Sequence, residues 1–225
     1  MPLLQKNLFN SPYSGVFCST NDMLTLVPPG IPDDDVKDIS EALDTEVSTI
    51  TVGGSRVVGT LIAMNNNGLI VSNLITSREL EKLESIISNL NLKIGVLPER
   101  SNAIGNNFLV NDKGGFCNER LGSQTKSLAG EVLGINIISS SLNSMENIGM
   151  IACLTNEGGI CHPEITNEER ELMEETLQVP FQEGTVNFGM PLVGAGIVAS
   201  SKGAVCGRQS TGIELGRVEE ALKLF

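Results

Sequence analysis

Apolar runs broken by short polar reversals recur five times along this chain of 225 residues. The clearest copy is Gly149-Met150-Ile151-Ala152-Cys153-Leu154-Thr155-Asn156-Glu157-Gly158-Gly159-Ile160-Cys161, which reads as strand, tight turn, strand around the Asn-Glu-Gly-Gly reversal. The other copies run from Gly15 to Thr25, Gly59 to Val71, Gly105 to Cys117 and Gly194 to Cys206. Their opening glycines are spaced by 44, 46, 44 and 45 residues, so the chain divides into five units of similar length. A fixed period in this range marks a repeat architecture.

The rest of each unit follows one plan. A short strand precedes each hairpin, at Leu3 to Phe9, Ser48 to Val52, Leu92 to Leu97, Ile135 to Ile138 and Gln178 to Gln182, and a helix follows it. Three helices open on the same capping box, Thr76-x-x-Glu79, Thr166-x-x-Glu169 and Thr211-x-x-Glu214, in which the Thr hydroxyl and the Glu carboxylate satisfy free backbone N–H groups. Apolar residues at helical spacing (Val36, Ile39 and Leu43; Leu80, Leu83 and Ile87; Leu215, Val218 and Leu222) give each helix one buried stripe. The third unit reads as degenerate, with its cap moved to Ser123 and a short helix carrying Leu128 and Val132. A unit of three strands and one helix cannot bury its apolar faces alone, and no polar capping unit ends the array. With both ends apolar, at Pro2-Leu3-Leu4 and Leu222-Lys223-Leu224-Phe225, the pattern predicts an α/β ring: five blades with inner hairpins and outer helices. The units fall at about 1–47, 48–91, 92–134, 135–177 and 178–225 of a single domain.

Charge narrows the partners. There are 27 acidic and 15 basic residues, a net charge of −12, and no clustered Lys or Arg of the kind that releases counterions from nucleic acid. An acidic surface is steered instead towards a basic protein. Five scattered cysteines without CxxC spacing fit free thiols in a reducing compartment, and no apolar run reaches membrane-spanning length, so a soluble cytoplasmic protein is expected.

Candidate chemistry is sparse. Cys117, Cys161 and Cys206 occupy one place in units three to five, where the first two units carry Thr25 and Val71. Cys18 and Cys153 read as a second equivalent pair. Interchange with Val, Thr and Ala63 indicates a small side chain in a tight interior; a nucleophile or an axial metal site are the alternatives. His162, the lone histidine, follows Cys161, and Cys206 is its better-placed partner for a catalytic pair. Asp33-Asp34-Asp35 begin a helix after Pro32, where acids offset the helix dipole. The pairs Gly53-Gly54, Gly114-Gly115 and Gly158-Gly159 lack the Lys and Ser/Thr of a phosphate loop, and most read as hairpin positions that need φ > 0. No cofactor, metal or catalytic group is assigned.

Five polar segments precede the hairpins: Asn10 to Tyr13, Ser55 to Thr60, Ser101 to Asn106, Asn147 to Gly149 and Thr185 to Gly189. The repeat places all five at one end of the ring, with Tyr13, Ile104 and Phe188 reading as exposed; together they read either as a flat composite surface suited to a macromolecule or as plain connecting loops. The runs Arg56-Val57-Val58-Gly59, Asn65-x-x-Gly68-Leu69, Ala103-Ile104-Gly105-Asn106, Thr155-Asn156-x-Gly158-Gly159-x-x-His162-Pro163, Val179-Pro180 and Gly184-Thr185-Val186-Asn187 resemble the translation initiation factor 6 family, from about residue 8 to the C-terminus.

That resemblance implies the pentein fold and a ribosome anti-association factor with no bond-breaking chemistry. Such a factor binds the intersubunit face of the large ribosomal subunit, chiefly an L14-class protein near the sarcin-ricin loop, with little direct rRNA contact, and acts in subunit maturation. It also implies ribosome contacts at Arg56, Thr60, Ala103, Gly105, Asn106, Thr185 and Asn187, in a monomer. The chain stops at Phe225 without the tail of eukaryotic members, as archaeal members do, and departs from the family's run at Lys113 to Glu119, Phe188 and Met190. The rival reading is a pentein hydrolase or amidinotransferase that modifies guanidino groups through Cys206 and His162. Such enzymes carry insertions that build a pocket, and the even spacing here leaves no lid and little room for one.

Overall fold

The computed structural model describes residues 2–225. Five three-stranded sheets stand around one axis. In four of them an antiparallel hairpin is joined in parallel by a third strand that returns through a helix, so each is a βαβ crossover built onto a hairpin. Blade two shows the plan: β5 (Ile62–Met64) pairs antiparallel with β6 (Gly68–Ser72), α4 (Ser77–Ile87) crosses over, and β7 (Lys93–Leu97) pairs parallel with β6. The outer helices of the other blades are α2 (Asp33–Leu43), α6 (Ser123–Leu133), α8 (Asn167–Leu177) and α10 (Gly212–Leu222).

The fifth blade is completed from the other end of the chain. Strand β1 (Leu3–Gln5) adds in parallel to β15 (Gly203–Cys206), which is paired with β14 (Ile197–Ser200). The ladder is extended by Ala204 N–H donating to Pro2 and Lys6 N–H to Cys206. The Lys6 ammonium, nearly buried, then meets Asp35 at 2.6 Å and Asp38 at 2.8 Å on α2. Burial alone would lower its pKa, but the two carboxylates outweigh that and raise it. The N-terminal strand thus latches the last blade and closes the ring. The C-terminus is tied only as far as Leu224; Phe225, apolar like the rest of that end, is 94% exposed.

The opening of each hairpin run is helical, not extended. One-turn helices α1 (Ser14–Phe17), α3 (Val58–Leu61), α5 (Ile104–Asn107), α7 (Ile148–Ile151) and α9 (Val193–Gly196) pack in order around the axis, α9 against α1. The physical reason lies in the five glycines. A Cβ on Gly59 would lie under 3.0 Å from the carbonyl oxygen of Gly15, and Gly105 stands likewise to Gly59, Gly149 to Gly105, Gly194 to Gly149 and Gly15 to Gly194. Backbone touches backbone all the way round, which only a residue without a side chain allows.

Strand register corrects two equivalences read from sequence. The reversals begin at Asn21, Asn65, Asn111, Thr155 and Ser200, whose side-chain oxygens each accept two backbone N–H groups of the turn. Counted from these anchors, Cys117, Cys161 and Cys206 match Val71 and Val27, not Thr25, and Cys18 matches Ala152, one place before Cys153. Only Gly53 and Gly54 of the glycine pairs have φ > 0. Gly114 and Gly158 are instead pressed against the helix-end carbonyls of Thr176 and Ala221. The third unit's helix is also full length at 11 residues, with Gly122 as its N-cap and Ser123 already inside it.

The core is divided into five wedges, each between adjacent sheets beneath one outer helix. Leu69 and Val71 of β6 face Leu24, Leu26 and Leu83 in one wedge, whereas Ile70 between them faces Phe108, Ala129 and Leu133 in the next. Both faces of the middle strand are therefore buried, and for that reason it reads as an unbroken apolar run. Replacing Gly149 with Ala is expected to lower stability by about 3 kcal/mol through overpacking. Gly216→Ala on α10, where a Cβ meets nothing within 4 Å, should be neutral or stabilising. Urea midpoints at constant m-value check the pair, and equal midpoints would discount the glycine ring.

Candidate docking face

The crossovers give the ring two unlike ends, because all five outer helices run the same way. At the end holding the helix C-termini, the Asn21-type reversals close over the axis. Asp22, Asn66, Asp112 and Asn156 form a hydrogen-bonded cluster: Asn66 Nδ2 donates to Asp22 at 2.8 Å and to Asp112 at 2.7 Å, and Asn156 Nδ2 donates to the same carboxylates at 3.3 and 2.7 Å. Ser201 N–H completes the circle on Asp22 at 2.7 Å. The axial cavities behind this plug measure about 50 and 130 Å³, below the roughly 300–1,000 Å³ of ordinary ligand pockets.

The other end carries the helix N-termini and the polar segments. Four of the segments begin with a narrow turn closed by a bridge, Leu8 to Ser11, Val52 to Ser55, Leu142 to Met145 and Val186 to Met190. Successive left-handed residues make the reversals: Phe9 and Asn10, Gly53 and Gly54, Asn143 and Ser144, Asn187 and Phe188. The capping-box glutamates hold three of these turns from below. Glu79 accepts from Thr76 N at its own cap, from Gly53 and Gly54 N of the turn, and from Thr51 Oγ1 at 2.6 Å. Glu169 accepts from Asn143 N, and Glu214 from Phe188 N, Gly189 N and Thr185 Oγ1. In the third unit the carboxylate comes from the loop: Glu99 reaches Gly122 N and Thr125 Oγ1 on α6. This explains how that helix is capped without a Thr-x-x-Glu motif.

Burial pushes the Glu79 carboxyl up, but the hydrogen bonds from Thr51, Thr76 and Gly54 outweigh it and bring the pKa down to about 2. Glu99, Glu214 and Asp22 are lowered by the same balance of desolvation against donors.

The seven residues implied by the resemblance sit unequally on this end. Arg56 is exposed, its guanidinium carbon 5.3 Å from the centre of the Phe9 ring. Thr60 and Asn106 are half-buried on the adjacent helices α3 and α5; the Thr60 hydroxyl returns to Val57 O, and the Asn106 amide has no hydrogen-bond partner among the described residues. Ala103 is the N-cap of α5. Gly105 belongs to the glycine ring. Thr185 is committed to Glu214. Asn187 is only 8% exposed: its N–H donates to Ser210 Oγ, its Nδ2 to Pro12 O, and its Oδ1 accepts from Ser210. It holds blade five to blade one and presents little side chain. Arg56, Thr60, Ala103 and Asn106 thus form one group, and Thr185 and Asn187 a second across Pro12 and Tyr13.

Of the six exposed large apolar side chains among the described residues, four lie at this end, in three different units. They are Tyr13, Leu74 beside the Gly53 turn, Phe188, and Ile213 in the first turn of α10. Tyr13 and Phe188 are exposed as read from sequence, but Ile104 is fully buried beneath the glycine ring. Leu74 and Ile213 were missed. Ile213 lies off the Leu215, Val218, Leu222 stripe, and that was the available signal.

The Cys206 and His162 pairing does not form. His162 Nδ1 accepts from Glu164 N at 3.1 Å and meets Asn143 Nδ2 at 3.3 Å. Cys206 is sealed among Ile197, Val218 and Leu222, and burial raises its pKa. Burial likewise pushes Cys18, Cys153 and Cys161 to about 12, far from the thiolate a nucleophile needs. Among the described residues, no helix is long and apolar enough to cross a membrane.

A closed ring of five α/β blades, with one sealed end and one end of exposed loops, defines a pentein-like protein. The family model described as the eIF-6 family matches residues 3–221, and this chain belongs to that family. A protein of Haloquadratum walsbyi named Translation initiation factor 6 is 36% identical over 220 residues, 98% of this chain and 96% of the relative. Proteins of that name from Methanosarcina mazei (34%, 96% of each chain) and Methanocaldococcus jannaschii (32%, 99% of each chain) are similar over the same extent. A translation initiation factor role is the function this membership supports.

A stability consequence follows for acid. Carboxyls whose folded pKa is depressed contribute fully above their unfolded values, near 4.5 for Glu79, and lose that contribution as pH falls through the folded value. Unfolding free energy is expected to decline between about pH 4.5 and pH 2, and Glu79→Gln should flatten that slope in urea titrations at stepped pH.

Proposed function

We propose that this protein binds the large ribosomal subunit through the loop end of its ring and, by covering the joining surface, keeps the small subunit from associating. The observation that carries the reading is the concentration of exposed apolar side chains on one end of an acidic disc whose family consists of translation factors. Exposed apolar side chains set among polar loops are of the kind a protein partner covers. With pI near 4.5, a basic ribosomal protein of the L14 class is a better electrostatic match than bare rRNA. The action is steric: the chain works as a monomeric plug, with Arg56, Thr60, Ala103 and Asn106 at the contact and Gly105, Thr185 and Asn187 shaping the backbone around it. Occupying a nascent joining face also suits a role in large-subunit maturation. The guanidino-modifying alternative has no observation in its favour, since its two reacting groups are separately engaged.

Asn106→Arg places a bulky cation where an uncommitted amide sits and is expected to weaken cosedimentation with archaeal large subunits about tenfold or more, with its urea midpoint unchanged. Binding of the unmodified protein is expected to change less than about tenfold between 50 and 200 mM salt, whereas a contact to 6–10 phosphates loses roughly 10³–10⁵. A steep salt dependence would shift the contact to rRNA.

A further inference from the structure

Phe188 sits at the tip of the fifth-blade turn with φ of 64°, in the left-handed region, and is 84% exposed. An aromatic residue in that region is strained by roughly 1–2 kcal/mol, which glycine would avoid. Its N–H donates to the carboxylate of Glu214, the residue after Ile213, which is also 84% exposed, so the two apolar side chains rise from one spot. Beside them runs a groove of about 300 Å³ lined by Pro163, Glu183, Gly184, Thr185, Glu214 and Arg217. Its rim is acidic. Glu183 and Glu214 line it, and exposed Glu164 follows Pro163. The one guanidinium there, Arg217, is turned back to donate to the Glu183 carbonyl at 3.1 Å.

The molecule itself contains the covered counterpart. Phe9, the other aromatic in a left-handed turn position, rests on Phe17 with ring centres 5.3 Å apart and has the guanidinium of Arg56 5.3 Å from its centroid. In blade five the ring is bare and the surrounding charge is negative. A cation over an aromatic face is favourable, more so where carboxylates border it.

From these observations we infer that Phe188 and Ile213 form an aromatic anchor that receives an arginine side chain from a basic protein, its guanidinium over the Phe188 ring and its stem along Ile213. The inference rests on the docking reading above and deepens it, by naming the group on the partner that the fifth blade recognises.

The test uses the full chain and purified archaeal large ribosomal subunits in a sedimentation titration with four variants. Phe188→Gly removes the ring while relieving the backbone, so it keeps the fold; it is expected to weaken binding about tenfold. Phe188→Leu keeps apolar bulk without a π face and should lose as much. Phe188→Trp should bind within about twofold of the unmodified protein, and Ile213→Ser should lose a smaller factor. If the unmodified protein cosediments and Phe188→Gly matches it, the anchor is overturned while the docking reading stands. If Phe188→Leu binds normally and Phe188→Gly does not, the site is apolar and the arginine assignment is overturned. If protein-stripped rRNA retains the unmodified protein and releases Phe188→Gly, the ring stacks on a base and the inference falls. Failure of the unmodified protein to cosediment removes the docking reading and the inference with it.

Discussion

Backbone-to-backbone contact at Gly15, Gly59, Gly105, Gly149 and Gly194 is the constraint on which the ring depends. Where each glycine meets the carbonyl of the one before, the five one-turn helices are drawn to the axis and the hairpins behind them are fanned at a fixed spacing. That spacing leaves wedges between neighbouring sheets, and each wedge is filled from both sides and roofed by one outer helix. No blade owns a core of its own. Closure therefore has to be completed by non-covalent contacts out of chain order, with the N-terminal strand on β15 and Lys6 on Asp35 and Asp38.

The same geometry makes the two ends unlike. Four crossovers alike, and α10 running beside the fifth sheet in the same sense, put every outer-helix N-terminus at the loop end, where capping glutamates also tie down the turns. The Glu79 and Glu214 carboxylates are held ionised by several donors each as they brace the loops. At the far end the amides of Asn66 and Asn156 bridge the carboxylates of Asp22 and Asp112 and shut the axis. A rigid disc with one plugged end and one apolar-studded end is suited to covering a surface. Its thiols are buried and their proton affinities raised, so none is poised as a nucleophile.

Conserving the backbone plan while varying the tips gives each blade its own surface. The left-handed turn is built from Gly53-Gly54 in one blade, Asn143-Ser144 in another and Asn187-Phe188 in a third. What differs is only what points outward. In the first blade Phe9 is covered by Arg56, and in the fifth Phe188 is left open.

The amino-acid sequence by itself determined the number of units, the hairpin-then-helix order and three helix starts, because glycine spacing, apolar periodicity and Thr-x-x-Glu boxes act within a few residues of one another. It also made the chain acidic, without clustered Lys or Arg. Only the tertiary structure decided the rest. The helical turn at each opening glycine exists because a carbonyl from the neighbouring blade stands where a Cβ would be. Cys18 and Cys153 proved one register apart, since the reversal is anchored by Asx and Ser/Thr turns that the spacing of cysteines does not reveal. Asn187 reads like a contact residue until Pro12 and Ser210 take its amide, and Ile213 reads like any helix residue until the fifth turn leaves it bare beside Phe188. Long-range partners fix burial and exposure, and a linear pattern does not contain them.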